Sequence, residues 1–301
     1  MTFLYLPFWF FKARILRKKH PLQTVIFISD HCNLRCKHCH VISDRPPITK
    51  SYETIREELQ YSYDLGTRFV DFEGGEPMLW QENGRNINDL IRLAKKIGFF
   101  STTVTTNAQL PFDHCEADSI WVSLDGLEHF HDEIRGEGTF ARLEKNINNL
   151  TRKHVSVNMV VNSSNYTNVP ELIEYVKQSP KIKSVSLNFH TPYEGTESLL
   201  LDWKLRKEVI NQIITYKKRG YPIMNSVSGM KKMIDNSFKD YCWVTNFILP
   251  DGTRLPECTG KTAGMCDHCG LCMAGEMHSV MNFKLDTIWA GLKLRAQLRI
   301  R

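Results

Sequence analysis

The sequence predicts an α/β fold: a partial (β/α)6 TIM-like barrel followed by a small cysteine-rich module. Three observations lead there. From residue 24 to residue 226, short apolar runs rich in β-branched residues alternate with longer segments of helical spacing, the rhythm of βαβ units on a parallel sheet with right-handed crossovers. Six strand-like runs come before residue 191, which fits a full or partial barrel better than a flat sheet. After "MIDNSFKD" the alternation stops, and five of the nine cysteines fall between residues 242 and 272.

Taken in order, "TVIFIS" (24–29) is a buried strand, and a cysteine-bearing loop follows it. "YETIREELQYSYDLG" has helical spacing and "RFVDFEGG" reads as the second strand. "INDLIRLAKKIG" is a helix stopped by Gly98, and "FSTTVTTN" is the third strand. "DSIWVSLDG", "VSVNMVVN" and "SVSLNFH" are the next three, separated by helices around "FARLEKNINNL" and "VPELIEYVKQS". "DWKLRKEVINQIITYKKRG" and "YPIMNS" continue the pattern as helix and strand. The chain therefore divides into an apolar and basic segment over 1–22, a barrel over 23–237, and a module with a closing helix over 238–301. No fixed-period repeat or low-complexity linker interrupts it.

Composition narrows the class. A chain of 301 residues with 42% hydrophobic and 24% charged residues reads as a water-soluble globular protein. Nine cysteines, an odd number falling mostly into two tight groups, make a poor disulfide set. They point instead to metal or redox chemistry in a reducing compartment, here the cytoplasm. The net charge of +6 is concentrated in the first twenty residues (Lys12, Arg14, Arg17, Lys18, Lys19) and the last fifteen (Lys293, Arg295, Arg299, Arg301). The body between is slightly acidic, which excludes a nucleic-acid surface. The apolar run Phe3 to Phe11 is roughly half the ~20 residues of a spanning helix, and Pro7 interrupts it. It reads either as a peripheral anchor at the inner face of a membrane or as a segment packed over one end of the fold.

"SDHCNLRCKHCH" places Cys32, Cys36 and Cys39 within eight residues, directly after the first strand. That position is the carboxyl end of the sheet, where α/β folds carry their sites. Thiolates suit zinc or iron–sulfur clusters, and three of them leave one position of a four-iron cubane open for chemistry. The Cys32-xxx-Cys36-xx-Cys39 run resembles the cluster motif of the radical S-adenosylmethionine (SAM) superfamily. Three further segments strengthen the likeness, each at a strand end: "FEGGEP" with Gly74, Gly75, Glu76 and Pro77, "TTNA" with Asn107, and "SLDGLEHFHDEIRGEGTF". His40 departs from the aromatic residue that many members carry after the third cysteine.

The resemblance implies a [4Fe–4S] cluster on Cys32, Cys36 and Cys39, with SAM chelating its open iron. Gly74, Gly75, Glu76 and Pro77 would hold the methionine part. Ser123 and Arg135 would meet the ribose or methionine carboxylate, and Asn107 and Asp125 would lie in the same cofactor site. An electron, from a flavodoxin- or ferredoxin-type donor, would cleave SAM to a 5′-deoxyadenosyl radical that abstracts hydrogen from, or adds to, a substrate. Without the resemblance, Gly74-Gly75 and Asp125-Gly126 are turns and Arg135 is a surface ion-pair residue.

The second cysteine group is Cys242, Cys258, Cys266, Cys269 and Cys272. Cys266-xx-Cys269-xx-Cys272 repeats ferredoxin spacing, and a hairpin around Asp251-Gly252 would bring Cys242 to Cys258. The arrangement is similar to the auxiliary-cluster modules (SPASM and twitch domains) of radical SAM enzymes and implies one further [4Fe–4S] cluster, a structural zinc being the alternative. Five thiols for four positions leave one spare. Cys115 reads as a buried structural thiol, and His38 and His268 as solvated flanks of the cluster cysteines. His190, Tyr193 and Glu194 follow the sixth strand at the catalytic end, where Tyr193 or Glu194 could touch substrate. The aromatic and basic termini favour a lipid or isoprenoid substrate at a membrane surface, and "CDHCGLCMAGE" is remotely similar to enzymes acting on hopanoid precursors. The alternatives are a peptide- or protein-modifying enzyme, whose leader-binding domain would have to be a separate partner, and a non-catalytic zinc-stabilised scaffold.

Overall fold

A computed structural model describes residues 2–41, 45–151, 154–239 and 241–297. Eight strands form one sheet: β1 Gln23–Ser29, β2 Phe69–Gly74, β3 Ser101–Thr106, β4 Ser119–Ser123, β5 Val155–Val161, β6 Ile182–Phe189, β7 Thr245–Ile248 and β8 Arg254–Leu255. Their spatial order is β8-β7-β1-β2-β3-β4-β5-β6. Strands β1 to β6 are parallel and neighbours in sequence order, so the chain is the partial (β/α)6 barrel its rhythm predicts. The expected strand "YPIMNS" shrinks to one bridge, Val185 with Ile223. Strand β7 pairs in parallel with β1, and β8 closes an antiparallel hairpin on it. The first strand of the cysteine-rich segment thus extends the barrel sheet.

The helices are α1 Thr2–Arg14, α2 Tyr52–Asp64, α3 Ile87–Ile97, α4 His129–Arg135, α5 Thr139–Asn148, α6 Val169–Gln178, α7 Trp203–Lys218, α8 Val227–Lys232, α9 Thr259–Thr262, α10 Cys272–Met281 and α11 Leu285–Gln297. Local chemistry sets their ends. Ser51 caps α2, an Asn86/Asp89 capping box opens α3, Gly98 in the left-handed region closes it, and Asp202 caps α7.

Alternation along the strands gives the sheet two different faces. Val70, Phe72, Val104, Ile120, Val122, Val157 and Leu187 are buried in the main core, which they share with Leu59 of α2, Leu90 of α3, Leu143 of α5 and Leu172 of α6. The opposite face, the barrel lumen, is mostly polar: Asp71, Glu73, Thr103, Thr105, Asn158 and Asn188 keep part of their surface accessible there, as do Trp121 and Val160.

Helix α1 lies across the amino-terminal ends of the strands. Trp9 is buried and donates Nε1–H to the His20 carbonyl at 3.0 Å. The Tyr5 hydroxyl donates to the Gly66 carbonyl, and its ring meets Phe100 edge-on. One side of this segment is therefore packed over one end of the fold. Among the described residues, no helix is long and apolar enough to cross a membrane.

Candidate active site

At the carboxyl end of β1 the chain enters the first cysteine loop, and Asp30 closes it. The Asp30 Oδ1 accepts the Ile48 N–H at 2.6 Å, and Oδ2 pairs with Arg45. The far side is tied to α4 by the Lys37 N–H donating to the Ile134 carbonyl at 2.9 Å. Between these anchors Cys32, Cys36 and Cys39 stand half-buried. Burial pushes the Cys36 thiol up to about 11, with Arg135 opposing, and raises Cys32 as well.

The paired glycines of the second strand exist because this loop runs against them. The Gly75 N–H donates to the Ser29 carbonyl at 2.8 Å and the Glu76 N–H to the His31 carbonyl at 2.9 Å. A Cβ on Gly74 would stand 2.0 Å from the Ser29 oxygen, and one on Gly75 2.1 Å from the His31 oxygen. Gly74 also has φ of 138°, which L side chains avoid. Glu76 is buried and fully engaged: Oε1 accepts from the Met78 N–H and Thr106 hydroxyl, and Oε2 from the Asn107 N–H at 2.7 Å. Burial raises its carboxyl, and those three donors oppose the rise. Pro77 starts the short turn that Glu76 caps.

Glu76 thereby holds Asn107, whose Nδ2 points at the Cys32 sulfur at 3.6 Å. Arg135 is also buried, contrary to the surface alternative, and lies between two groups. Its Nε donates to Asp125 Oδ2 at 2.7 Å and its Nη1 reaches the Cys36 sulfur at 3.8 Å. Asp125 is sealed and accepts the Val160 N–H as well, so it positions Arg135 and does not face a ligand. Burial works to raise the Asp125 carboxyl, but Arg135, His38 and His131 hold it below its usual value. Ser123 ends β4 with part of its surface open to the lumen. The predicted set thus converges, with Asp125 behind it.

Several functional neighbours were not legible in the sequence. His38 is no solvated flank: its Nε2 lies 3.8 Å from Asp125 Oδ2, and burial pushes it down to about 4. His40 stacks on Tyr193, ring centroids 3.7 Å apart, and the Tyr193 hydroxyl meets Thr259 at 3.0 Å. That stack joins the first cysteine loop to the second cysteine group. Glu73 sits in the lumen beside Asp71 with the Thr105 hydroxyl at 3.4 Å, and burial together with Asp71 raises it to about 7. Alternating charges inside an otherwise apolar strand, "FVDFEG", are the signal that could have found it. His190 is buried and spends Nε2 on Thr196, while Glu194 is exposed. Cys115 is in the main core, as expected.

In the second group, Cys258 and Cys269 are buried, Cys266 is exposed, and Cys269 interacts electrostatically with both. The Asp251-Gly252 turn forms and joins β7 to β8. Cys242 precedes β7 at the level of Leu22, whose N–H bonds the Val244 carbonyl. Cys258 precedes Thr259, whose hydroxyl meets Tyr193 beyond the carboxyl end of β6. Cys272 opens α10 with its sulfur in the core, 3.9 Å from Met230 Sδ, and burial pushes it far up. Among the described residues, no three His, Cys, Asp or Glu side chains converge tightly enough to hold a single ion.

The donors fit thiolate-bound clusters. At the first group, the Leu34 N–H, Asn107 and Arg135 all aim at sulfur, the hydrogen bonding that stabilises a negatively charged cluster. At the second, Arg206 is buried between Phe189 and Trp203, donates to the Cys269 carbonyl at 2.9 Å, and leaves its Nε without a partner. An uncompensated guanidinium N–H beside cysteines fits an anion of cluster charge.

Comparison with known proteins agrees with this geometry. The sporulation killing factor maturation protein SkfB of Bacillus subtilis is 26% identical over 165 residues, covering 51% of this chain and 39% of SkfB. A GTP 3',8-cyclase of Rhodopirellula baltica is 32% identical over 126 residues, covering 40% of this chain and 33% of the cyclase. The chain therefore spans less than half the length of either relative. Streptococcus suis SuiB bound to S-adenosylmethionine has the same fold, with TM-score 0.63 and 20% identity, over 90% of this chain and 66% of SuiB. SuiB is also seen bound to precursor peptide SuiA, at TM-score 0.62 and 19% identity, over 96% of this chain and 69% of SuiB. Residues 26–163 match the Radical SAM superfamily, and the three-cysteine loop and the glycine cradle at the strand ends lie within that stretch.

Proposed function

We propose that the chain is a radical SAM enzyme that modifies a peptide or protein. The observation that carries the substrate class is the lumen. Its accessible side chains are mostly carboxylates, hydroxyls and amides, with Trp121 and Val160 among them; Asn188 donates to Asn158 at 2.7 Å, and burial raises the Glu73 carboxyl to about 7. Such a surface pairs with peptide N–H and C=O groups and repels an isoprenoid chain. The partial likeness to a peptide maturation protein supports the same reading. The lipid substrate favoured by the termini has no such support along the lumen.

Cys32, Cys36 and Cys39 would hold the cluster, and Gly74, Gly75, Glu76, Asn107, Ser123 and Arg135 would surround the SAM beside it. When bound, cluster and SAM supply one-electron cleavage of the sulfonium to methionine and a 5′-deoxyadenosyl radical. The chain's own groups do the rest. Asp125 fixes Arg135, Glu76 fixes Asn107, and the buried shell excludes water. Cys258, Cys266 and Cys269 would hold a second cluster over residues 238–301, beside a barrel over 23–237. A flavodoxin- or ferredoxin-type donor in a reducing cytoplasm would deliver the electron.

The test is 5′-deoxyadenosine formation by the reconstituted protein with SAM and dithionite. It should vanish when Cys32, Cys36 and Cys39 are changed to alanine. A pool of short synthetic peptides should raise it several-fold and acquire mass shifts, whereas an isoprenoid extract should not. Stimulation by the extract alone would overturn the peptide reading.

A further inference from the structure

Nine of the exposed large apolar side chains belong to the two ends of the chain: Leu4, Phe8, Phe11, Ile15 and Leu16, then Phe283, Leu285, Trp289 and Leu292. They are not scattered. Leu4, Phe8, Phe11 and Ile15 follow a 4-3-4 spacing, which is one stripe of a helix. Tyr5, Trp9 and Ala13, on the other side of α1, pack inward. Leu285, Trp289 and Leu292 make a second stripe on α11, with Leu285 79% and Trp289 70% exposed. The two meet, because Phe10 packs edge-on against Phe283 at 5.3 Å and the Arg14 Nε donates to the Met281 carbonyl at 2.8 Å.

Two further features sit with these stripes. Leu4, Tyr5, Phe8, Tyr63, Arg68 and Phe100 line an apolar groove of about 590 Å³ with one guanidinium in it. The first twenty residues carry five basic side chains and no acid. Lys284 and Lys293 flank the second stripe, and the single acid of α11, Asp286, is spent on the Ser228 N–H and hydroxyl.

We infer that this surface docks on a bilayer rich in anionic phospholipid. Aromatic and aliphatic stripes would enter the headgroup boundary, the groove would accept acyl chain, and the lysines and arginines would meet phosphate. Charge complementarity selects this occupant, since an apolar protein partner would not call for a basic rim whose one acid, Asp286, is engaged within the chain. The orientation follows from the fold. Helix α1 touches Gly66, Phe69 and Phe100 at the amino-terminal ends of the strands, whereas Cys32, Cys36 and Cys39, and Cys258 and Cys269 of the second group, lie at the carboxyl ends. Docked this way, the enzyme turns its site away from the membrane and takes its substrate from the aqueous side.

Flotation of the holoprotein with vesicles tests this without SAM or substrate, so its failure leaves the catalytic reading untouched. Binding is expected with phosphatidylcholine vesicles containing about 30% phosphatidylglycerol, and not with phosphatidylcholine alone. The triple variant Leu4→Ser, Phe8→Ser, Phe11→Ser should bind about tenfold or more weakly, as should Lys18→Glu with Lys19→Glu, a pair that leaves the packed face untouched. Quenching of tryptophan fluorescence by brominated lipid should fall in Trp289→Phe and persist in Trp203→Phe, since Trp203 lies on the site side. Folded protein that ignores anionic vesicles would overturn the inference, and so would binding that neither variant changes. A concentration-dependent dimer that the serine variant dissolves would assign the stripes to a second copy instead, and quenching lost only in Trp203→Phe would reverse the orientation.

Discussion

At Gly75 the space a side chain would need is taken by the carbonyl of His31, and that carbonyl belongs to the cysteine loop. Gly75→Ala should therefore displace the loop and leave the distant core intact. Far-ultraviolet circular dichroism should stay native while iron bound at the first cysteine group drops severalfold; full retention of iron would mean that the loop backbone is free to move. The ion pair behind the loop behaves differently. Asp125→Asn leaves a buried guanidinium short of its charge partner, a change expected to cost about 3 to 5 kcal/mol in chemical denaturation. At this scale the sequence was informative wherever chemistry is local: cysteine spacing, the glycine pair and the glutamate are adjacent residues doing one job. It was silent where a role depends on chain crossing. His38 looks like a polar flank until the loop meets Asp125, and the partner of His40 is Tyr193, which no spacing rule connects to it.

Elements were legible for the same reason. Strands β1 to β6 carry period-two or continuous apolar patterns, and the capped helices carry their own start and stop residues, so local preference and global fold agree. The cysteine-rich segment was harder, because its helices are fixed by one another. Helix α10 is pinned to α8 by Glu276, which accepts from the Ser226 N–H at 2.8 Å and hydroxyl at 2.7 Å. Lys217 and Asp286 also act on this carboxyl, in opposite directions. Burial is the dominant influence and pushes it up to about 7 from an ordinary 4.5. Between those two values the folded chain binds more protons than the unfolded one, so stability falls as pH rises through that window. The contribution is complete below about pH 4.5, is lost by about pH 8, and is of the order of 3 kcal/mol. Glu276→Gln keeps an acceptor for Ser226 and removes the titration. Its thermal midpoint should vary less than that of the parent between about pH 5 and pH 8, and an unchanged pH profile would place the titrating group elsewhere.

For the whole molecule, the question is how five carboxy-terminal thiols are shared out, and topology answers what spacing left open. Strand β7 runs parallel to β1, so the residue before it lies at the end of the barrel opposite the first cysteine loop. Cys242 is that residue's near neighbour, next to Tyr241 and Trp243, and Trp243 packs on Trp9 of α1. Cys258 is drawn to the other end through Thr259 and Tyr193. Cys272 keeps the ferredoxin spacing, but as the first residue of α10 it directs its sulfur at Met230. Cys258, Cys266 and Cys269 remain, with the unpartnered Nε of Arg206 nearby. Metal analysis of single alanine variants separates these roles. Cys266→Ala should lower iron by about four per chain, the content of one cubane. Cys242→Ala should leave iron unchanged, and Cys272→Ala should leave iron unchanged while lowering stability by about 1 to 2 kcal/mol through the cavity it opens. Equal iron loss in Cys272→Ala and Cys266→Ala would make the set four-cysteine, and the thiol would have to turn out of the core when the cluster forms. Zinc in place of iron would make the module structural, leaving the His40–Tyr193 stack as a mechanical brace between a catalytic loop and an inert one.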